Sequence, residues 1–170
     1  MKILVLSDSH GQIDKAKAIL EKLEKQIEMV FHLGDYDEDA GALGSMFPDL
    51  VIHYVKGNND RRMDTPSHKV VFAKGKRFLL THGHQQNVHY NLHTIAYWAE
   101  EQEADAVLFG HTHVALNDNT GRALLFNPGS ITLPRDGRDC TFGIITIENG
   151  KIEGSIMEIL RSGEIRRRGK

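Results

Sequence analysis

One pattern constrains the fold of this chain most: a short apolar run, then glycine or another small residue, then Asp, His or Asn. The five instances are Ile3–Leu6 before Asp8-Ser9-His10, Met29–Phe31 before Gly34-Asp35, Val51–Val55 before Gly57-Asn58-Asn59-Asp60, Phe78–Leu80 before Thr81-His82-Gly83-His84, and Ala106–Phe109 before Gly110-His111-Thr112-His113. Such runs predict buried strands. Because open α/β sheets bind ligands beyond the carboxyl ends of their strands, the pattern predicts one site at one sheet edge.

The His-x-His segment carries the strongest metal-binding signal. Side chains two residues apart on an extended chain share a face, so His111 and His113 can present two imidazoles to one point. Neutral imidazole is the commonest metal ligand in proteins. Alone, this pair fits two exposed histidines at a strand end equally well, and the other four polar segments favour the ligand interpretation.

Periodicity predicts the remaining elements. Helical spacing of apolar residues predicts helices at Ile13–Glu28, Asp37–Met46 and Val88–Gln102, and a glycine turn predicts a hairpin of Lys69–Ala73 with Arg77–Leu80. The second half predicts a meander of antiparallel strands at Val114–Leu116, Ala123–Phe126, Phe142–Ile147 and Ile152–Ile159. Strand–helix alternation followed by a meander predicts an α/β fold of two sheets packed face to face, with helices outside.

Length and composition limit the classes of protein. At 170 residues with 40% hydrophobic and 26% charged residues, we expect one globular domain over residues 1–160 and a solvated basic tail over residues 161–170. A net charge of −2 makes nucleic acid an unexpected partner. The one cysteine, Cys140, fits a reducing compartment, and no stretch approaches the about 20 apolar residues of a membrane span. We expect a cytoplasmic protein, with homo-oligomers left open.

Seven side chains form the candidate constellation. They are Asp8, His10, Asp35, Asn58, His82, His111 and His113. This is too many N and O ligands for one structural zinc ion, which is usually four-coordinate, and it suits two ions of octahedral preference. Two ions need a shared ligand, and Asp35 is the better bridge because Asp8 and His10 look like a pair serving one ion.

Five motifs occur along the chain in this order: Asp-x-His, Gly-Asp, Gly-Asn-x-Asp, His-Gly-His and Gly-His-x-His. Together they resemble the calcineurin-like metallophosphoesterases, and they are close to the small bacterial and archaeal phosphodiesterase branch of that family. The resemblance runs from Asp8 to Pro128-Gly129-Ser130 and implies a four-layer αββα sandwich of two mixed sheets. It implies one ion held by Asp8, His10, Asp35 and His113, and another held by Asp35, Asn58, His82 and His111. The implied ions are divalent transition metals, with manganese favoured and nickel, cobalt, iron or zinc as alternatives.

The resemblance also implies an activity. It predicts a phosphodiesterase that acts on small phosphoesters, in which a hydroxide bridging two ions attacks phosphorus. Asn58 is then expected to help hold the phosphate oxygens, and Asp60 and His84 to orient the ligands. Loop capping explains Asp60 and His84 equally well.

Two departures from the family pattern affect which substrates are expected. Phosphatases of the family carry arginine after the Gly-Asp aspartate, where this chain has Tyr36. Many members carry a histidine after the motif asparagine, where this chain has Asn59. An amide is a poor general acid, so difficult leaving groups are expected to react slowly.

Three alternatives stay open. The same fold serves as a protein-interaction scaffold in the retromer subunit that resembles these enzymes, and a phosphomonoesterase or nuclease would share the metal site. All seven positions hold competent ligands, which favours an enzyme, and the absence of a basic patch argues against a nuclease. His32, His89 and His93 are interpreted as packed or exposed histidines without a role in the site.

Overall fold

The structure is a computed structural model that describes residues 1–169. Its strands are β1 (Lys2–Leu6), β2 (Met29–His32), β3 (Val51–Tyr54), β4 (His68–Ala73), β5 (Lys76–Thr81), β6 (Ala106–Leu108), β7 (Leu116–Asp118), β8 (Leu124–Asn127), β9 (Cys140–Glu148), β10 (Lys151–Ile159) and β11 (Ile165–Arg167). Its helices are α1 (Ile13–Leu23), α2 (Asp37–Met46) and α3 (His93–Glu101), with a short 3-10 turn at His84–Gln86. None of the helices in this part of the chain is long and apolar enough to cross a membrane.

The strands form two mixed sheets. The first has the order β11-β10-β9-β1-β2-β3, and the second has the order β4-β5-β6-β8-β7. Each sheet contains three adjacent parallel strands: β1, β2 and β3 in the first, and β5, β6 and β8 in the second. Parallel strands deliver their carboxyl ends to the same edge, which is the condition that the sequence pattern predicted.

Hydrophobic packing builds four layers. The two sheets bury one core between them, centred on Phe31, Phe78 and Phe126. Leu20 of α1 and Leu43 of α2 pack against the outer face of the first sheet. Ile95 and other residues of α3 pack against the outer face of the second. The predicted αββα sandwich of two mixed sheets with flanking helices is therefore confirmed.

Two predicted helices are shorter than expected. The first ends at Leu23 instead of Glu28, because a tight turn is needed before Ile27 reaches the core and β2 begins. The third begins at His93 instead of Val88, because Asn87 adopts a left-handed backbone conformation that interrupts the preceding turn. The second half is also not one meander, since β7 and β8 join one sheet whereas β9, β10 and β11 join the other.

The predicted solvated tail is wrong at Ile165–Arg167, whereas residues 161–164 are exposed as expected. Residues Ile165–Arg167 form β11, which pairs antiparallel with β10. Arg168 follows it and donates hydrogen bonds to Glu158 at 2.7 Å and to Asp136 at 2.9 Å. The basic residues at this end are held by acidic partners on the sheet and its neighbouring loop. Lys170, the last residue of the predicted tail, lies outside the described residues.

Candidate metal centre

Four strands position the candidate ligands at one edge of the two sheets. Asp8 and His10 follow β1, and Asp35 follows β2 in the first sheet. His82 follows β5, and the His111-Thr112-His113 segment follows β6 in the second sheet. Since the two sheets pack face to face, ligands from both converge at the top of the interface between them.

The first group of converging side chains is Asp8, His10, Asp35 and His113. One ligand atom of each lies within 4.8 Å of the ligand atoms of the others. His113 Nε2 lies 3.1 Å from Asp8 Oδ1 and 3.3 Å from His10 Nε2, and His10 Nε2 lies 3.8 Å from Asp35 Oδ2. Two carboxylates and two imidazoles at this spacing can hold one divalent cation.

A second group adjoins the first through Asp35. His82 Nε2 lies 3.4 Å from Asp35 Oδ1 and 3.9 Å from Asp8 Oδ1. The His111 ring packs edge-on against the His82 ring, with centroids 5.2 Å apart. Asp35 therefore has one carboxylate oxygen facing each group, which is the geometry that a bridging ligand requires.

Backbone carbonyls fix the orientation of two of these histidines. His82 Nδ1 donates to the Leu33 carbonyl at 2.8 Å, and His113 Nδ1 donates to the Leu133 carbonyl at 2.7 Å. Because a carbonyl oxygen only accepts, the proton must reside on Nδ1 in both rings. The Nε2 atoms then turn their lone pairs towards the carboxylates when the rings are neutral, as in metal-binding histidines generally.

Polar atoms without partners provide a test of whether the residues fit a cation. Among residues 1–169, Asp8 Oδ1 and His82 Nε2 are buried and have no hydrogen-bond partner. Burying a polar atom without a partner costs about 1–3 kcal/mol. A cation between these atoms would satisfy both, so this donor set fits a divalent metal ion.

The pKa values of the site depend on burial and on mutual contacts. Burial alone would raise the pKa of Asp8, yet His113 and His82 hold it below its ordinary value. Burial and the neighbouring His82 lower the pKa of His111 to about 4. Burial would also lower the pKa of His113, and the Asp8 carboxylate raises it above the ordinary value instead. At neutral pH the His111 imidazole is therefore neutral and can act as a ligand.

The backbone at the site is unusual. Five of the candidate ligands are non-glycine residues with positive φ: Asp8 at 55°, His10 at 47°, Asp35 at 55°, His111 at 67° and His113 at 59°. Each such residue costs on the order of 1–3 kcal/mol, and strain of this kind clusters at functional sites. At Gly57, a side chain would overlap the Asp35 carboxylate, so glycine lets the β3 loop approach it closely.

Hydroxyl groups hold the main chain of Asp8 in this conformation. Ser130 Oγ and Thr132 Oγ1 each donate to the Asp8 carbonyl oxygen at 2.9 Å. Ser7 Oγ and the backbone N–H of His111 donate to Asp8 Oδ2 at 2.6 Å and 3.2 Å. The role of Ser130 explains why the motif extends as far as Pro128-Gly129-Ser130. Thr132 was not identified from the sequence, because one threonine in a loop carries no pattern.

The loop after β3 contacts the site through a different residue than predicted. Asn58 is exposed there, and the hydrogen bonds to Asp35 come from Asn59. The Asn59 side-chain amide donates to Asp35 Oδ2 at 2.6 Å, and its backbone N–H donates to Asp35 Oδ1 at 3.0 Å. The assignment of Asn58 as a ligand stays a prediction.

The two residues predicted to orient ligands occupy different positions. The Asp60 carboxylate accepts backbone hydrogen bonds from Tyr36 at 2.6 Å, Asp37 at 2.9 Å and Gly57 at 2.7 Å, so it joins two site loops without facing the ligands. His84 is half-buried beside His82, with ring centroids 5.5 Å apart. Within residues 1–169, its Nδ1 is buried and has no hydrogen-bond partner.

His89 is exposed as expected, but it lies beside the site and outside α3. Its ring packs edge-on against the His111 ring with centroids 5.6 Å apart. It precedes α3, and the bend at Asn87 turns this segment towards the site. The predicted helix therefore does not include His89, whereas His93 is exposed at the start of α3 as expected. His32 is buried and contacts Ser9 Oγ at 3.0 Å, as a packed histidine.

Residues 1–150 match the calcineurin-like phosphoesterase superfamily domain. The chain belongs to this superfamily. The calcineurin-like phosphoesterases that resemble it include the probable metallophosphoesterase YsnB of Bacillus subtilis, which is 35% identical over 150 residues, with 88% of this chain and 86% of YsnB covered. They also include the phosphodiesterase YfcE of Escherichia coli, which is 26% identical over 167 residues, with 85% and 87% covered.

A solved structure has a similar fold. Vps29 of Entamoeba histolytica, crystallised as a complex with Zn²⁺, superposes with a TM-score of 0.81 and 21% identity, covering 99% of this chain and 97% of that chain. At this level of identity the likeness shows the fold alone.

Proposed function

We propose that this calcineurin-like phosphoesterase is a dinuclear metal-dependent phosphodiesterase acting on small phosphoesters. The observation that carries the proposal is the convergence of Asp8, His10, Asp35 and His113 within 4.8 Å. In this assignment they hold one ion, and the second ion is held by Asp35, Asn58, His82 and His111. Manganese is the favoured ion, because carboxylate oxygens and imidazoles in this number suit octahedral ions.

Two bound divalent ions would supply activated water and neutralise charge on the transferred phosphoryl group. The protein supplies the positioning. Carbonyl oxygens of Leu33 and Leu133 keep His82 and His113 in the tautomer that presents Nε2. Asp60 ties the loop that carries Asp35 to the loop that carries Asn58. Catalysis of phosphoryl transfer depends mainly on such positioning and on charge stabilisation.

Charge balance favours diesters over monoesters. Two divalent cations, two carboxylates and one hydroxide nucleophile sum to a formal charge of about +1. A diester monoanion neutralises this charge, whereas a monoester dianion exceeds it. Enzymes that bind dianions commonly use arginine, which grips phosphate oxygens with two donors. Here Tyr36 follows Asp35, and the exposed Arg62 is paired with Asp64 at 3.1 Å.

The test compares two aryl esters after metal exchange. The protein is stripped with chelator, reloaded separately with manganese, nickel, cobalt, iron or zinc, and assayed with bis-p-nitrophenyl phosphate and p-nitrophenyl phosphate. We expect no hydrolysis without metal and a higher kcat/KM for the diester with the same ion. Full activity in a verified metal-free sample, or a preference for the monoester, would contradict the proposal.

The same samples distinguish an enzyme from a scaffold. Calorimetry with each ion measures metal binding independently of turnover. Metal binding without hydrolysis of any phosphoester in a broad panel would favour the non-catalytic scaffold. Competent donors at Asp8, His10, Asp35, His82, His111 and His113 fit both candidates, so hydrolysis, and not metal binding alone, separates the enzyme from the scaffold.

A further inference from the structure

Tyr36 lies at the rim of the candidate metal centre in an unusual conformation. It follows Asp35 directly and has φ 84° and ψ 69°, which is left-handed. Its ring packs edge-on against the His10 ring with centroids 5.5 Å apart. The residue is 40% exposed, so a large part of the ring remains available to a bound molecule.

Contacts on two sides fix this ring in place. The Tyr36 backbone N–H donates to Asp60 Oδ1 at 2.6 Å, which holds the main chain. The ring covers Gly11, where a side-chain carbon would lie 3.4 Å from Tyr36 Cε1. The Gly11 backbone N–H in turn donates to Asp39 Oδ2 at 3.0 Å, which anchors the surface beneath the ring to α2. Tyr36 is thus a preformed wall of the site.

The left-handed backbone conformation of Tyr36 indicates that its ring has a function. A left-handed backbone disfavours a bulky aromatic residue and favours glycine or asparagine. Burial in a core does not account for the tyrosine, because a substantial fraction of it stays exposed. The tyrosine provides a flat, largely apolar face beside His10, which a smaller residue would not provide.

We propose that Tyr36 is a specificity-determining residue that packs against a planar organic group of the phosphoester. This inference rests on the proposed phosphodiesterase function. The ring lies beside the His10 side of the ligand group, and the inference assigns it to the ester group that stays on phosphorus. The chemistry that it recognises is a flat aromatic or heteroaromatic ring, by stacked or edge-to-face packing.

The experiment varies only the retained group of the substrate. Bis-p-nitrophenyl phosphate and ethyl p-nitrophenyl phosphate share a leaving group and differ in the group that remains on phosphorus. In the manganese-loaded protein we expect Tyr36→Leu to lower kcat/KM for the bis-aryl ester by about 3- to 10-fold, with a smaller loss for the ethyl ester. Tyr36→Phe keeps the ring and should keep the aryl preference of the wild type. Tyr97→Leu removes an exposed tyrosine of α3 and should also leave the preference unchanged.

A binding measurement supports the kinetic one. Calorimetry compares phenylphosphonate with methylphosphonate on the manganese-loaded wild type and on Tyr36→Leu. We expect the variant to lose affinity for the phenyl compound selectively. Tyr36→Asn, which suits the left-handed backbone, serves as a second ring-free variant if the leucine protein unfolds.

The outcomes separate this inference from the proposed function. If the wild type hydrolyses neither diester, the proposed phosphodiesterase function fails, and the calorimetry alone decides the role of Tyr36. If the wild type hydrolyses both diesters and the ring-free variants keep its aryl preference, the inference about Tyr36 is overturned while the function stands. Equal loss of affinity for both phosphonates would also overturn it.

Discussion

The Asp60 carboxylate accepts a 2.6 Å hydrogen bond from the backbone N–H of Tyr36. With its bonds to Asp37 and Gly57, it joins the loop after β2 to the loop after β3. One of these loops carries Asp35 and the other carries Asn58 and Asn59. A single carboxylate thereby sets the spacing of residues that contribute to the candidate metal centre.

Asp60→Asn should weaken both folding and metal binding. The amide group replaces one acceptor oxygen by a donor that faces a backbone N–H, which should cost about 1–3 kcal/mol of unfolding free energy. Loss of a residue that orients ligands should lower metal affinity by about 10–100-fold. Denaturant unfolding and calorimetry measure the two effects. Asp64→Asn in the same loop is the matched control, because Asp64 is exposed and contacts Arg62; equal effects of both variants would exclude a special role for Asp60.

Metal should stabilise the fold, and Asp35 should mediate the effect. Ions that bind only the folded state add about 2.7 kcal/mol at a concentration of 100 times Kd. We therefore expect a higher Tm with manganese than with chelator. Asp35→Asn should remain folded, because the site lies at a sheet edge, and should lose the metal-dependent shift together with orders of magnitude of activity. An unchanged wild-type Tm at saturating manganese would argue against a preformed site.

The histidines at positions 89 and 93 should behave differently. His89 packs against His111, so His89→Ala should lower metal affinity and kcat/KM by about 2- to 10-fold through loss of an aromatic contact. His93 is exposed at the start of α3, and His93→Ala should be close to neutral. His111→Ala removes a proposed ligand and should cost orders of magnitude. If His93→Ala were as damaging as His111→Ala, the ligand assignment would be wrong.

The C-terminal ion pairs predict a pH-dependent stability. The hydrogen bond from Arg168 is the main reason that the pKa of Glu158 lies below its ordinary value. A lowered folded pKa gives stability that is present above the unfolded pKa and is lost as pH falls through the folded one. Arg168→Met should therefore cost about 1–3 kcal/mol near pH 7 and progressively less in acid.

The neighbouring arginine provides the control for this prediction. Arg167 pairs with Glu153 at 3.1 Å, and both side chains are largely exposed. Exposed pairs contribute about 0–1 kcal/mol, so Arg167→Met should have a small effect at any pH. Denaturant unfolding from neutral to acidic pH measures both variants. A pH-independent loss for Arg168→Met would show that its packing matters and its charge does not.

The strands and the polar residues at their ends could be predicted because both depend on local sequence. β1 was predicted with its observed end at Leu6, since a continuous apolar run followed by Ser-Asp-Ser-His leaves one place for the strand to end. Parallel pairing of β1 with β2 then brings Asp8 and Asp35 to the same edge of the sheet. The convergence of these motifs at one sheet edge can therefore be predicted before any contact is known.

Features that depend on nonlocal contacts were missed. The helix predicted from Val88 begins at His93, because the left-handed Asn87 redirects the chain and brings His89 to His111. β11 was predicted as a tail because its basic residues look solvated, and the acidic partners Glu158 and Asp136 lie 10 and 32 residues from Arg168 along the sequence. Asn59 contacts Asp35 through a loop geometry that no periodicity encodes.

The left-handed backbone at Asp8, His10, Asp35, His111 and His113 has an evolutionary consequence. At these positions glycine or asparagine would suit the main chain better than the residues present, so selection for folding alone works against the ligands. In a gene copy released from metal binding, these codons should be the first to drift, and they should drift towards glycine and asparagine while the core strands stay the same.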